Sequence, residues 1–210
     1  MSYPLTLTKL ITILSNELPP DAAFASMRSY VRETAAEARL KTPPPRESAV
    51  MMLLYKREDV WHTLFMLRPE GQGVHSGQLS FPGGKKEEGE TLVQTALRET
   101  MEEVGVEPAA IEVAGELSEV YIPPSHFIVK PYVGIMHSEP RFTPNISEVV
   151  QLIEFPVENF LRPDIIQEKE IFLPKYNVHF RAPYFDVHGH TLWGATAMMV
   201  QELRMRAGLE

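Results

Sequence analysis

The chain has 210 residues, with 28 Asp and Glu against 20 Lys and Arg, a formal net charge of −8 at pH 7. That balance argues against a nucleic-acid scaffold, because binding along a phosphate backbone favours a basic surface. There is no cysteine, which excludes a disulfide framework and thiol chemistry. Hydrophobic residues make up 44% and charged residues 23%, the composition of an ordinary soluble domain. The length suits one domain, or one domain with an appended piece. No apolar run approaches the ~18 residues of a membrane span, and the first residues lack a basic region followed by an apolar one. The expectation is a soluble, cytoplasmic protein with no membrane partner.

In chain order, residues 5–17 (LTLTKLITILSNE) carry apolar residues at helical spacing and stop before Pro19-Pro20. Asp21 then reads as the N-cap of a second helix reaching roughly Arg39, and KTPPPRES follows as a proline-rich linker. Residues 1–45 are thus expected to form a helical N-terminal extension that packs or makes a dimer contact, and residues 46–210 the main domain. Ala49–Tyr55 and Trp61–Leu67 are short apolar runs that predict two strands of a hairpin around REDV. A glycine-rich loop over residues 68–84 leads through a short strand at Leu79–Phe81. Beyond Val106, strands are expected over Ile111–Ile122 and Phe127–Met136, then, after a polar loop ending at Glu148, a strand and a short helix from about Val157. A closing hairpin (Glu170–Leu173 with Val178–Asp186) and a last helix opened by Trp193-Gly194-Ala195-Thr196-Ala197 complete the chain. His188 and His190 flank Gly189 in the turn between them, a pairing too sparse to bind a metal without further ligands.

The chemistry concentrates in Gly84–Val106, GKKEEGETLVQTALRETMEEVGV. Residues three and four apart share a helix face, so Glu99 stands beside Glu102 and Glu103. Three carboxylates within one turn read either as a solvated acidic face or as a cation site. Oxygen ligands in that number suit Mg²⁺ or Mn²⁺, which recruit substrate phosphates as further ligands. The helix is expected to carry Glu90 as well, and Arg98, eight residues and just over two turns after it, is spaced to brace the ligands with it. Pro82, Gly83 and Gly84 give a tight approach to a ligand, Gly105 stands where a left-handed cap is expected, and the helix N-terminus near Glu90 offers N–H groups to an anion.

With Gly84, Glu90, Arg98-Glu99, Glu102-Glu103, Gly105 and Val106 all in register, this stretch resembles the Nudix box of the Nudix hydrolase superfamily; only Thr100 departs, where an aliphatic residue is usual. The segment before it resembles the motif LLTxRSxxLRxHxGQxxFPGG of the superfamily's coenzyme A pyrophosphatase branch, with Arg68, His75, Gly77, Gln78, Phe81, Pro82, Gly83 and Gly84 in register. Pro69 stands in place of the serine, and Gln72-Gly73 in place of the Leu-Arg pair, which removes one cation. The likeness runs over roughly residues 47–200 and is densest in 62–106.

The resemblance implies an α/β Nudix fold, a mixed β-sheet in an α/β/α sandwich, carrying the helical N-terminal extension. It implies a divalent-metal-dependent pyrophosphatase acting on a nucleoside diphosphate linked to another moiety, with CoA or acyl-CoA cleaved to 3′,5′-ADP and 4′-phosphopantetheine. Glu99, Glu102, Glu103 and Glu148 are the expected ligands of Mg²⁺ or Mn²⁺. Glu102, Glu103, Arg98, Glu90 and Glu148 are the expected catalytic set, one of the carboxylates serving as the base. Arg68, His75, Gly83 and Gly84 are the expected substrate contacts, His75 competing between loop ordering and a phosphate contact. Glu154 is a further carboxylate in range, read as an outward strand residue. Two alternatives stay open: a Nudix hydrolase for ADP-ribose, dinucleotides or nucleoside triphosphates, and a non-catalytic Nudix-fold nucleotide-binding regulator. The partner implied is a small-molecule nucleotide, and the family and the helical extension together suggest a homodimer.

Overall fold

A computed structural model describes residues 5–16, 18, 24–27, 33–71, 76–162, 164–173 and 177–209. Among these, the helices are α1 (Leu7–Ser15), α2 (Ala35–Arg39), α3 (Leu92–Val104), α4 (Val157–Phe160) and α5 (Gly194–Arg206). The strands are β1 (Arg46–Arg57), β2 (Val60–Leu67), β3 (Leu79–Ser80), β4 (Gly83–Lys85), β5 (Glu112–Glu116), β6 (Val120–Ile122), β7 (Phe127–Ile135), β8 (Gln151–Pro156), β9 (Ile166–Leu173), β10 (Val178–Val187) and β11 (His190–Trp193).

β1 is the axis of a mixed, eight-stranded sheet. It runs antiparallel to β2 and β4 and parallel to β7, with α3 in the crossover that a parallel neighbour requires. Its side chains alternate between two cores, as the pleat dictates. Ala49, Met51, Leu53 and Tyr55 pack with Ala96 and Val104 of α3, while Met52 and Leu54 face Leu10, Ile13 and Leu14 of α1 and Met198, Met199 and Leu203 of α5. The sheet is therefore sandwiched between α3 on one side and α1 and α5 on the other, the mixed α/β/α arrangement expected. Burial on both faces explains why β1 reads as a continuous apolar run. A second sheet, β9-β10-β11, is antiparallel and sends Phe185, Val187 and Leu192 into the larger core. No helix among the described residues is long and apolar enough to cross a membrane.

Three local expectations are corrected. A single helix does not reach Arg39: Thr34 is extended and N-caps α2 through a capping box with Glu37, so the chain restarts a short helix there. Asp21, the expected start of that helix, lies outside the described residues. The long strand over Ile111–Ile122 is split into β5 and β6, because the N–H and hydroxyl of Ser118 both donate to the buried carboxylate of Glu202 on α5, turning the chain out of the ladder. Glu90 is not on the helix, which begins one residue after the cap Thr91; Thr91 and Gln94 form a capping box there that takes up the N–H groups of Thr91 and Gln94.

Candidate active site

α3 is capped at one end by Thr91 and at the other by Gly105, in the left-handed conformation at φ 73°. Its polar stripe faces the β4 loop. Arg98 lies at the centre of the stripe, and its guanidinium donates in four directions. Nε donates to Glu90 Oε1 at 2.6 Å, Nη1 to Glu99 Oε1 at 2.9 Å and to Glu102 Oε2 at 3.0 Å, and Nη2 to the Lys85 carbonyl at 3.2 Å. A planar fork with several donors is what such bridging needs, and a lysine could not reproduce it. Glu90 is reached by the loop folding back on the helix. Its second oxygen accepts from Thr95 Oγ1 at 2.9 Å and from the Glu87 N–H at 3.1 Å. These bonds, the Arg98 one foremost, hold its carboxyl down at about 2.

The ligand candidates differ in environment. Glu103 is 2% exposed and accepts the Gly83 N–H at 2.7 Å, yet burial pushes its carboxyl up to about 7, with repulsion from Glu99 and Glu148 adding to the effect. Burial likewise raises Glu99, against the pull of Arg98. Gly84 is what lets Glu99 approach: a Cβ there would stand 2.4 Å from the Glu99 carboxylate, inside contact distance. Glu102 is exposed and tied to Arg98. Glu148 arrives from a different element. The Thr143 N–H donates to the Val104 carbonyl and the Asn145 N–H to the Glu103 carbonyl, both at 2.9 Å, docking the loop on the C-terminal turn of α3. Asn145 Nδ2 then holds a Glu148 oxygen at 3.3 Å, and the Glu148 charge bears on both Glu99 and Glu103.

Of the expected substrate contacts, Arg68 lies 4.0 Å from Glu103 and lines a cavity of about 750 Å³ together with Gly83, Gly84 and Lys85. His75 lies outside the described residues, as do Gln72 and Gly73. Glu154 stands apart: it accepts from Tyr55 Oη at 2.8 Å and from Arg57 Nε, so it ties β8 to β1. His188 sits in the β10–β11 turn with its ring edge against Phe155. Two residues that sequence reasoning missed are Thr95 and Asn145. A threonine in the first turn of the helix, five residues after Glu90, and an asparagine three before Glu148, were the available signals. Thr100 is fully buried, and its hydroxyl donates to the Ala96 carbonyl at 2.6 Å, which satisfies the polar group that replaces an aliphatic one.

The donor set is all oxygen and suits a hard divalent cation. Glu99 and Glu103 are crowded carboxylates that burial leaves short of compensating charge, the condition a cation would relieve. Among the described residues, no three carboxylate or imidazole groups are already gathered in a grip on a metal; Arg98 lies between Glu99 and Glu102.

The NUDIX domain profile matches residues 45–176. Nudix hydrolase 15, mitochondrial, of Arabidopsis thaliana is 32% identical over 163 residues, covering 73% of this chain. This chain spans only 55% of that relative's length. The mitochondrial coenzyme A diphosphatase NUDT8 of Homo sapiens is 34% identical over 170 residues, 79% of this chain and 71% of that protein. Among solved structures, DR0079 from Deinococcus radiodurans superposes with a TM-score of 0.50 at 16% identity over 79% of this chain and 88% of that one, a likeness of fold alone.

Proposed function

Since the chain belongs to the NUDIX domain family as a Nudix hydrolase, we propose that it cleaves the diphosphate bridge of CoA or an acyl-CoA into 3′,5′-ADP and a 4′-phosphopantetheine. The observation that carries this reading is the Arg98-braced carboxylate stripe standing beside a roomy cavity whose mouth holds Gly83, Gly84, Arg68 and Lys85. Human NUDT8 and mouse NUDT7, named as coenzyme A diphosphatases, support the substrate.

Nudix hydrolases use divalent metal ions, and here Glu99, Glu102, Glu103 and Glu148 would hold Mg²⁺ or Mn²⁺. An ion so held supplies Lewis acidity and lowers the pKa of water toward neutrality. The chain's own residues do the rest. Arg98 and Glu90 orient Glu99 and Glu102, in the manner of groups that fix metal ligands. Arg68 and Lys85 place positive charge where a diphosphate's oxygens would lie. Water adds to one phosphorus as the bridging P–O bond breaks, leaving two phosphate monoesters and one proton. Glu99 and Glu102 are engaged by Arg98, and Glu103 by the Gly83 N–H. Glu148, exposed on its loop and held by Asn145 Nδ2 at the longer distance of 3.3 Å, would take that proton.

The test is phosphate release, after coupled phosphatase treatment, from CoA, acetyl-CoA, ADP-ribose, NADH, diadenosine polyphosphates and dNTPs with Mg²⁺ or Mn²⁺. Glu102→Gln serves as the control. Selective cleavage of the CoA species, lost in the variant, is expected. Cleavage of ADP-ribose or dinucleotides instead would overturn the substrate, and nucleotide binding without turnover of anything would make the protein a regulator.

A further inference from the structure

The cavity beside the carboxylates is larger than a diphosphate needs. At about 750 Å³ it lies in the range that accepts a whole small-molecule ligand. Among the described residues its charged lining is Arg68 and Lys85, next to Gly83 and Gly84. Apolar lining comes from the second sheet and from the adjoining ends of β6 and β7, through Val178, Phe180, Trp193, Ile122 and Phe127. Phe180 and Trp193, on β10 and β11, stand with ring centroids 5.7 Å apart.

Two of the hydroxyls on this lining are already engaged. The hydroxyls of Ser48 and Thr196 are donated to the main-chain carbonyls of Ile128 and Leu79. Among the described residues no Asp, Glu, Asn or His lines the cavity, and its remaining uncharged polar side chains are Gln78, Ser80 and Ser125. A cationic rim and an apolar chamber fit a ligand that is anionic at one end and greasy at the other.

We propose that the β9–β11 sheet is the specificity wall of the enzyme, and that Val178, Phe180 and Trp193 hold an extended apolar substituent, the acyl chain of a thioester, while the diphosphate lies at Gly83 and Gly84. The proposal rests on the CoA reading above and adds to it a preference for acylated over free-thiol substrate. Burial of a methylene is worth about 0.8 kcal/mol, so each one that enters the chamber multiplies affinity roughly fourfold.

The experiment compares CoA, acetyl-CoA and hexanoyl-CoA in the full chain. Initial rates with Mg²⁺ give the ratio of kcat/KM for hexanoyl-CoA to that for CoA. Binding without turnover is followed in EDTA by tryptophan fluorescence, for which the chain is suited. It has two tryptophans, Trp61 buried in the core and Trp193 on the cavity wall. The expected results are a ratio of at least tenfold and an emission shift produced by hexanoyl-CoA but not by AMP. In Phe180→Ala, and in Val178→Asp, which alters a half-exposed residue and spares the core, the ratio should fall below threefold. Cleavage of CoA with a ratio near one, or a ratio that both variants leave intact, would overturn the specificity wall and leave the CoA reading standing. An AMP-induced shift equal to that of hexanoyl-CoA would overturn it by placing the base in the chamber. Cleavage of ADP-ribose with neither cleavage nor binding of any CoA species would overturn both.

Discussion

At the scale of single residues the site is a balance between burial and charge. Glu103 carries the clearest consequence. Its carboxyl, pushed up to about 7, binds a proton in the folded state that the unfolded chain releases near the ordinary carboxylate value of about 4.3. The folded state therefore holds more protons between those values, and stability must fall as pH rises from about 4.5 through 7. The loss is at most on the order of 3 kcal/mol, at 1.36 kcal/mol per pH unit. In EDTA, the Tm of the metal-free protein is expected to drop from pH 5 to pH 8, and Glu103→Gln should flatten the slope. Added Mg²⁺ should stabilise most at the alkaline end, where the proton no longer competes for the oxygens. Arg98→Lys tests the brace. Without the guanidinium fork, Glu90, Glu99 and Glu102 lose their common partner, and Mn²⁺ affinity read by electron paramagnetic resonance should fall 10- to 100-fold. An affinity within threefold of the native protein would mean that Arg98 does not orient the ligands.

At the scale of elements, the join between α3 and the loop bearing Glu148 is the critical one. Gly105 ends the helix at φ 73°, and a Cβ there would stand 2.8 Å from Cβ of Thr143. Gly105→Ala should therefore cost about 1–2 kcal/mol through the left-handed backbone alone, seen as a lower urea midpoint. Because the same contact seats residues 143–145 on the helix end, the variant should also lose turnover beyond what its stability explains. Asn145→Ala removes the Nδ2 contact to Glu148, together with the bonds that Oδ1 accepts from the Ser147 N–H and hydroxyl in the same loop, and should lower kcat more than it raises KM. A change confined to KM would count against a role for Asn145 in placing the carboxylate.

At the scale of the whole molecule, the N-terminal helix shares the core of the hydrolase fold. Leu10, Ile13 and Leu14 lie in the same cluster as α5 and β1, and Arg206 reaches back to the Leu14 carbonyl at 2.7 Å. Leu10 is fully buried, so Leu10→Ala is expected to cost 2–5 kcal/mol. Calorimetry should show one cooperative transition at lower temperature. A separate early transition that leaves the main unfolding unmoved would show that α1 is held independently.

The stripe of Arg98, Glu99, Glu102 and Glu103 was legible in the chain because one helix carries it, where periodicity decides which side chains share a face. The buried run of β1 and its hairpin with β2 were legible for the same reason: alternation and a turn are local properties. What the tertiary structure decided depends on partners far apart in sequence. Glu202 breaks the strand at Ser118 from 84 residues away. Tyr55 and Arg57 draw Glu154 into a structural tie, while Asn145 and the end of α3 bring Glu148 beside the other carboxylates. The apolar chamber exists only because β10, β11 and α5 fold back over β4 and β7. Sequence placed the carboxylates, since a helix needs only its neighbours; packing gave them a proton balance and a cavity, since burial is a property of the whole fold.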